Sequence, residues 1–264
     1  MRLQDLLKFA EDISIEAGHI LLKGFRSKDT VISYKSRTDL VTNIDKESEE
    51  FLFNIIKIKY PDHSIIAEEG SRKDAEGEFV WYVDPLDATN NFAHGIPFFC
   101  VSIGIYSTKL KQVVAGIVYD PYHNELFKAC HGQGAFLNNE EIRISAINDI
   151  GISILATGFP YRKAEMQNNN LSEFNAFLTK IQGIRRIGSA ALDLSYVACG
   201  RIDGYWEPWL SPWDMAGGSI IVREAGGTVT NYSNGVFDPE FPEIVASNGL
   251  IHGQMIKILE TIKH

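Results

Sequence analysis

The chain has 264 residues, 45% hydrophobic and 22% charged, an ordinary soluble globular composition that allows one large domain or two lobes around a cleft. A formal net charge of -9 argues against a non-specific nucleic-acid binder, which needs a basic surface. An acidic protein that handles an anionic substrate must supply positive charge locally, and a bound metal is one way to do so.

Leu3, Leu6, Leu7, Ala10, Ile13, Ala17, Ile20 and Leu21 recur at helical spacing and predict a helix over residues 3–25. Acidic residues inside that first helix do not fit a signal peptide. No apolar run approaches the roughly 20 residues that span a bilayer. A cytoplasmic protein that does not enter the membrane is expected. A short strand is predicted over 31–34. A second helix starts at Thr42 or Asn43 and stops at Tyr60-Pro61-Asp62.

Strands then follow closely, over 64–67, 80–83, 98–106, 113–119 and 125–130, with a hairpin punctuated by Gly132-Gln133-Gly134 and Asn138-Asn139. The later pattern alternates: strand 152–157, helix 165–181, strand 184–187, helix 190–199, strand 204–206 and helix 213–225 closed by Gly226-Gly227. Strands over 228–232 and 243–247 and a helix over 250–262 complete it. An antiparallel-rich lobe (1–150) and an α/β lobe (151–264) are expected. Cys100, Cys130 and Cys199 show no metal-type spacing and read as free thiols in a reducing compartment.

The segment Trp81-Tyr82-Val83-Asp84-Pro85-Leu86-Asp87-Ala88-Thr89 reads as an apolar strand ending in two carboxylates, with a possible helix start after them. Carboxylates forced together raise each other's pKa unless a cation lies between them, and an oxygen-only donor set suits magnesium. Glu68, after the run 64–67, and Asp214, opening the helix 215–224, also stand at element ends. Taken singly, a DPxD is a common turn and an aspartate before a helix is usually a cap. Spacing alone does not choose between Glu68 and Glu69, since only one of an adjacent pair can face a cleft.

WYVDPLDATNNFAHGIPFFCVSIG and WDMAGGSIIVREAGG resemble the two signatures of the inositol monophosphatase family. YKSRTDLVTNID, YPDHSIIAEEG and GIRRIGSAALDLSYVACGRIDGYWE resemble further blocks, in the family's order and over nearly the whole chain. The resemblance implies a layered αβαβα sandwich of mixed α+β and α/β character. It implies a phosphomonoesterase that uses two or three magnesium ions, is inhibited by lithium and forms a homodimer. By the same matching, Glu68, Asp84, the Leu86 carbonyl, Asp87 and Asp214 take the metal positions. Thr89, supported by Asp45, orients the attacking water, with Glu68 also counted as catalytic.

Backbone N–H groups of Asp87, Ala88 and Thr89 fall where phosphate binds. Glu207, Ala190, Arg185 and Lys35 fall near the substrate, with Arg186 read as a surface cation. His94 is read as a loop or interface residue, and Trp206, Trp209 and Trp213 as core or pocket wall. Myo-inositol 1-phosphate is the leading substrate. Fructose 1,6-bisphosphate, histidinol phosphate, an adenosine bisphosphate and NADP are the runners-up, because the metal motif is shared. A regulatory protein of a transcription complex that keeps the fold is the alternative of another class. The chain departs from the family at Ala88, where glycine is usual, and at Asn90, where threonine is. Alanine fits a helix start with negative φ; a site needing positive φ would penalise it.

Overall fold

The computed structural model describes residues 2–161 and 164–262. Helix α1 (Leu3–Gly24) leads through the hairpin β1 (Ile32–Ser36) and β2 (Asp39–Thr42) into α2 (Asn43–Lys59). Strands β3 (Ser64–Ala67), β4 (Arg72–Lys73) and β5 (Phe79–Asp87) follow, then the short helix α3 (Thr89–Ala93). The meander β6 (Cys100–Ser107), β7 (Gln112–Asp120), β8 (Glu125–Cys130), β9 (Ala135–Leu137) and β10 (Glu140–Ile142) completes an eight-stranded sheet in the order β10-β9-β8-β7-β6-β5-β3-β4. Only β3 and β5 pair in parallel within it.

The later chain alternates β11 (Ile154–Thr157), α4 (Leu171–Leu178), β12 (Gly183–Arg185), α5 (Ala190–Ala198), β13 (Gly204–Pro208), α6 (Pro212–Glu224), β14 (Thr228–Thr230), β15 (Glu243–Ser247) and α7 (His252–Leu259). Its five strands form a second sheet in the order β12-β11-β13-β15-β14.

Three apolar clusters make the layers. The α1 and α2 stripes, with Leu6, Ile13, Leu21, Leu52 and Ile56, close one face of the large sheet against Trp81, Val83 and Ile103. Helices α5 and α6 fill the space between the sheets, with Leu192, Leu194, Ile220 and Ile221 meeting Val118, Phe127, Tyr205 and Ile244. Helices α4 and α7 cover the outer face of the small sheet around Phe177, Trp206 and Met255. The result is a layered αβαβα sandwich.

The α6 layer approaches closely because small residues face each other. A Cβ at Gly104 would lie 2.3 Å from the Ala216 Cβ, and one at Gly116 would lie 2.5 Å from the Gly217 carbonyl oxygen. That contact seats α6 on β6 and β7 with its first turn beside the end of β5, so Asp214 arrives near Asp84 and Asp87.

Most elements match the sequence periodicity, three with their bounds intact. Three differences have local causes. Helix α4 starts at Leu171 rather than residue 165, after Asn170 takes φ 69°. Helix α7 begins at His252, past the turn at Gly249. Strands β2 and β4 are four and two residues long and carry too little alternation to announce themselves.

Candidate active site

Strand β5 is bulged where it matters. Asp84 pairs with Ser102 and Asp87 with Cys100, so three steps on β5 oppose two on β6. Without the extra residue, positions three apart on a strand face opposite sides; the bulge turns both carboxylates to one side. Pro85 has no N–H to give the ladder and suits that irregular place. Asp84 Oδ1 accepts the Leu86 N–H at 3.0 Å, and Asp87 Oδ2 accepts from the Ser189 hydroxyl at 2.6 Å and the Ala191 N–H at 3.0 Å.

Asp45 and Asp214 each occupy the third position of a helix and close a capping box. Asp214 Oδ2 takes the Ser211 N–H at 2.7 Å. Asp45 Oδ2 takes the Thr42 N–H at 2.9 Å, while its other oxygen accepts the Thr89 hydroxyl at 2.7 Å. Capping and site duty therefore coexist, one oxygen for each. The Thr89 hydroxyl also lies 3.1 Å from the Leu86 carbonyl oxygen.

Glu68, Asp84, Leu86, Asp87, Thr89 and Asp214 line one cavity of about 760 Å³ together with Lys35, Ala88, Ala190 and Glu207. Asp45 stands behind Thr89, fully buried. The Glu68 and Glu69 ambiguity resolves by direction. Glu69 hydrogen-bonds Lys35 and gives its N–H to Glu49, and Glu68 takes the cavity, with Lys35 Nζ at 3.5 Å.

Arg185 is not brought to the cavity. It sits on the edge strand β12, exposed, and donates to the neighbouring Ile184 carbonyl. Arg186, read from sequence as a surface cation, is exposed as that reading has it, and it also lines the cavity, on the opposite side of the extended chain from Arg185. Trp209 and Trp213 form part of the wall, whereas Trp206 is core, stacked 4.1 Å from Phe177. His94 is exposed and outside the cavity; Cys100 and Cys130 are buried and Cys199 is half-buried, all with free thiols.

Ala88 adopts φ 73°, ψ 46°, the left-handed conformation, so the negative φ that suits alanine is not what the site uses. Two other residues escaped notice in the sequence. Asn170 is fully buried, with its amide nitrogen on Thr157 and Gly158 and its oxygen on Trp206, and it anchors the strand end that backs Glu207. Its signal is weak, an asparagine that tolerates positive φ within an Asn triplet. Ser189, the N-cap of α5, steers Asp87, and the capping position before the helix at 190 was its clue.

Burial raises the Glu68 carboxyl to about 7 against the pull of Lys35, with Glu69 adding repulsion. Burial raises Asp84 and Asp214 well above the usual carboxylate range, and Glu68 and Asp87 push both further. Burial also raises Asp87, opposed by its Ser189 and backbone donors. A cation placed among these four buried carboxylates would favour their charged forms. Among the described residues, no three His, Cys, Asp or Glu side chains close a ligand cluster by themselves. Magnesium does not require one, since it keeps waters and binds through one or two carboxylates plus phosphate oxygens. The all-oxygen donor set fits that ion.

A family model described as the inositol monophosphatase family matches residues 2–264. The chain is 44% identical over 260 residues to an inositol-1-monophosphatase of Synechocystis, covering 97% of this chain and 89% of the relative. It is 42% identical over 232 residues to the Nus factor SuhB of Pasteurella multocida, covering 87% and 86%. Among solved structures, an inositol monophosphatase from Anabaena superposes with TM-score 0.90 at 40% identity, covering 100% of this chain and 98% of that one.

Proposed function

This chain belongs to the inositol monophosphatase family, and from that premise we propose a magnesium-dependent phosphatase of small polyol phosphates, with myo-inositol 1-phosphate as leading substrate. The observation that carries the reading is the meeting of Glu68, Asp84, Asp87 and Asp214 in one cavity, each with its carboxyl pushed toward the protonated form.

In this reading those four side chains and the Leu86 carbonyl hold two or three magnesium ions. Bound magnesium supplies acidified water and neutralises charge on the phosphate and on the leaving oxygen. The protein's own residues do the positioning. Asp45 accepts the hydrogen bond of the Thr89 hydroxyl, which leaves a Thr89 lone pair to accept a hydrogen bond from the attacking water. The backbone at Asp87, Ala88 and Thr89 turns beside the phosphate position. Glu207, buried on β13, accepts hydrogen bonds from substrate hydroxyls, and Ala190 forms an apolar wall near it. Lys35 balances Glu68, and Arg186 replaces Arg185 as the cation beside the substrate. Lithium inhibition, a homodimer and a cytoplasmic location belong to the same proposal. Among the described residues no helix is long and apolar enough to cross a membrane.

Phosphate release from a panel comprising myo-inositol 1-phosphate, fructose 1,6-bisphosphate, histidinol phosphate, adenosine 3′,5′-bisphosphate and NADP, with and without magnesium and lithium, tests the proposal. Absence of turnover on every compound sinks it, and preference for a bisphosphate moves it to a sister activity. Relatives named Nus factor SuhB favour a second reading, a regulatory binding protein that keeps the fold. If a cellular phenotype of gene loss is rescued by Asp214→Asn as well as by the wild type, the second reading wins.

A further inference from the structure

The turn that leaves β13 carries a side chain its backbone does not favour. Trp209 adopts φ 66°, the left-handed region that suits glycine and that a bulky residue rarely enters. Such strain persists only where the surroundings over-determine it, and it gathers at ligand sites. The surroundings are specific here. The Trp209 and Leu210 N–H groups both donate to the Pro242 carbonyl, at 2.5 and 3.2 Å, and the indole N–H donates to the Asn168 carbonyl at 2.6 Å.

Core packing does not explain the tryptophan. Trp81 and Trp206 are wholly buried, whereas Trp209 is 48% exposed and lines the cavity two residues beyond Glu207. Its N–H is engaged by Asn168, so the surface left to a ligand is the apolar aromatic ring. Phe159, Tyr161 and Leu210 line the same cavity. The segment that carries Asn168 has its own anchor, because Asn170 bonds Thr157, Gly158 and Trp206.

A ring fixed in this way selects by shape. A cyclic polyol in its chair presents axial C–H bonds on a flat face, and the negative face of an indole attracts them. An open-chain polyol has no such face and loses more rotational freedom when it is held against one. The cavity of about 760 Å³ has room for a six-membered ring beside the phosphate.

We propose that Trp209 is a specificity-determining residue that stacks on the C–H face of a cyclic substrate alcohol, so that phosphate esters of ring polyols are preferred to open-chain ones. The inference rests on the phosphatase reading given above and narrows its substrate class. Glu207 reads the hydroxyls, and Trp209 reads the ring that carries them.

The test measures kcat/KM for three esters. These are myo-inositol 1-phosphate, cyclohexyl phosphate, which keeps the ring without hydroxyls, and glycerol 2-phosphate, which keeps hydroxyls without the ring. Trp209→Gly removes the side chain and suits φ 66°. It should lower the ratio of each ring ester to glycerol 2-phosphate about tenfold, the scale of one covered ring face. Trp209→Phe, with a ring and no donor, should keep most of the preference. Trp209→Gln, with an N–H donor and no ring, should lose it as Trp209→Gly does. Unchanged ratios in Trp209→Gly overturn the role, as does a change confined to myo-inositol 1-phosphate. A preference kept by Trp209→Gln and lost by Trp209→Phe also overturns it, since the indole would then serve only to hold Asn168. Failure of the wild type on all three esters would instead strike at the phosphatase reading.

Contact has a readout independent of turnover. Saturating myo-inositol with inorganic phosphate and magnesium should shield tryptophan fluorescence from acrylamide more in the wild type than in Trp209→Phe. Equal shielding in the two proteins overturns the stacking.

Discussion

Two walls of one cavity are held in opposite ways. On the β5 side three aspartates are tied by short hydrogen bonds: Asp45 to Thr42 and Thr89, Asp87 to Ser189 and Ala191, Asp214 to Ser211. On the β13 side Glu207 receives the Tyr205 hydroxyl and Asp193 receives nothing. Groups that face the phosphate see the same chemistry in every substrate and gain from being fixed. Groups that would face the alcohol meet what differs between substrates.

The comparison breaks most visibly at Asp87. Asp87→Asn keeps the size of the side chain but removes the charge that Ser189 and Ala191 orient, and kcat/KM should fall about a thousandfold, the range seen when one preorganised electrostatic group is lost. The loss should be the same for every phosphomonoester tried, with circular dichroism unchanged. A loss confined to the polyol substrate would mean that the two walls do not divide their duties.

Glu207→Gln probes the other wall. It should raise KM for myo-inositol 1-phosphate about tenfold and spare 4-nitrophenyl phosphate, in keeping with one lost charge-assisted hydrogen bond. Uniform loss across both substrates would place Glu207 with the phosphate machinery.

Removing metal should expose the repulsion on the β5 side. The Glu68 carboxyl lies at about 7 in the folded protein against 4.5 for the free side chain. A raised folded value means that the folded state holds the proton more tightly. The associated stability is complete below about 4.5 and disappears as pH rises through 7. In chelator, Tm should therefore fall between pH 5 and pH 8, and saturating magnesium should abolish or reverse the trend. The same decline with magnesium present would show that the ion does not sit among these carboxylates.

Much of this arrangement was legible before the structure. The strands ending at Ala67 and Asp87 and the helix opening near Asp214 follow from periodicity and stop signals, so the carboxylates at those ends could be named together. Direction was not legible. Whether Glu68 or Glu69 faces inward depends on where Glu49 and Lys35 hold the second one. Whether Arg185 or Arg186 enters the cavity depends on the phase of a three-residue strand. The bulge that brings Asp84 and Asp87 to one side is a property of the β5 and β6 register and not of either segment alone.

The smallest effect sharpens the comparison most, because it separates backbone from side chain on the tightly held wall. Ala88 is forced to φ 73° between Asp87 and Thr89, and the left-handed conformation costs a non-glycine residue about 1 kcal/mol. Ala88→Gly should recover that strain and raise Tm by about 2–4 °C for a chain of this size. If the methyl group also crowds the phosphate, KM should fall for polyol and aryl phosphates alike, since both present the same group to this wall. A higher Tm with unchanged KM would show that the turn already holds its N–H groups correctly and that alanine there costs only stability. An unchanged Tm would mean that the neighbouring bonds of Asp87 and Thr89 absorb the strain.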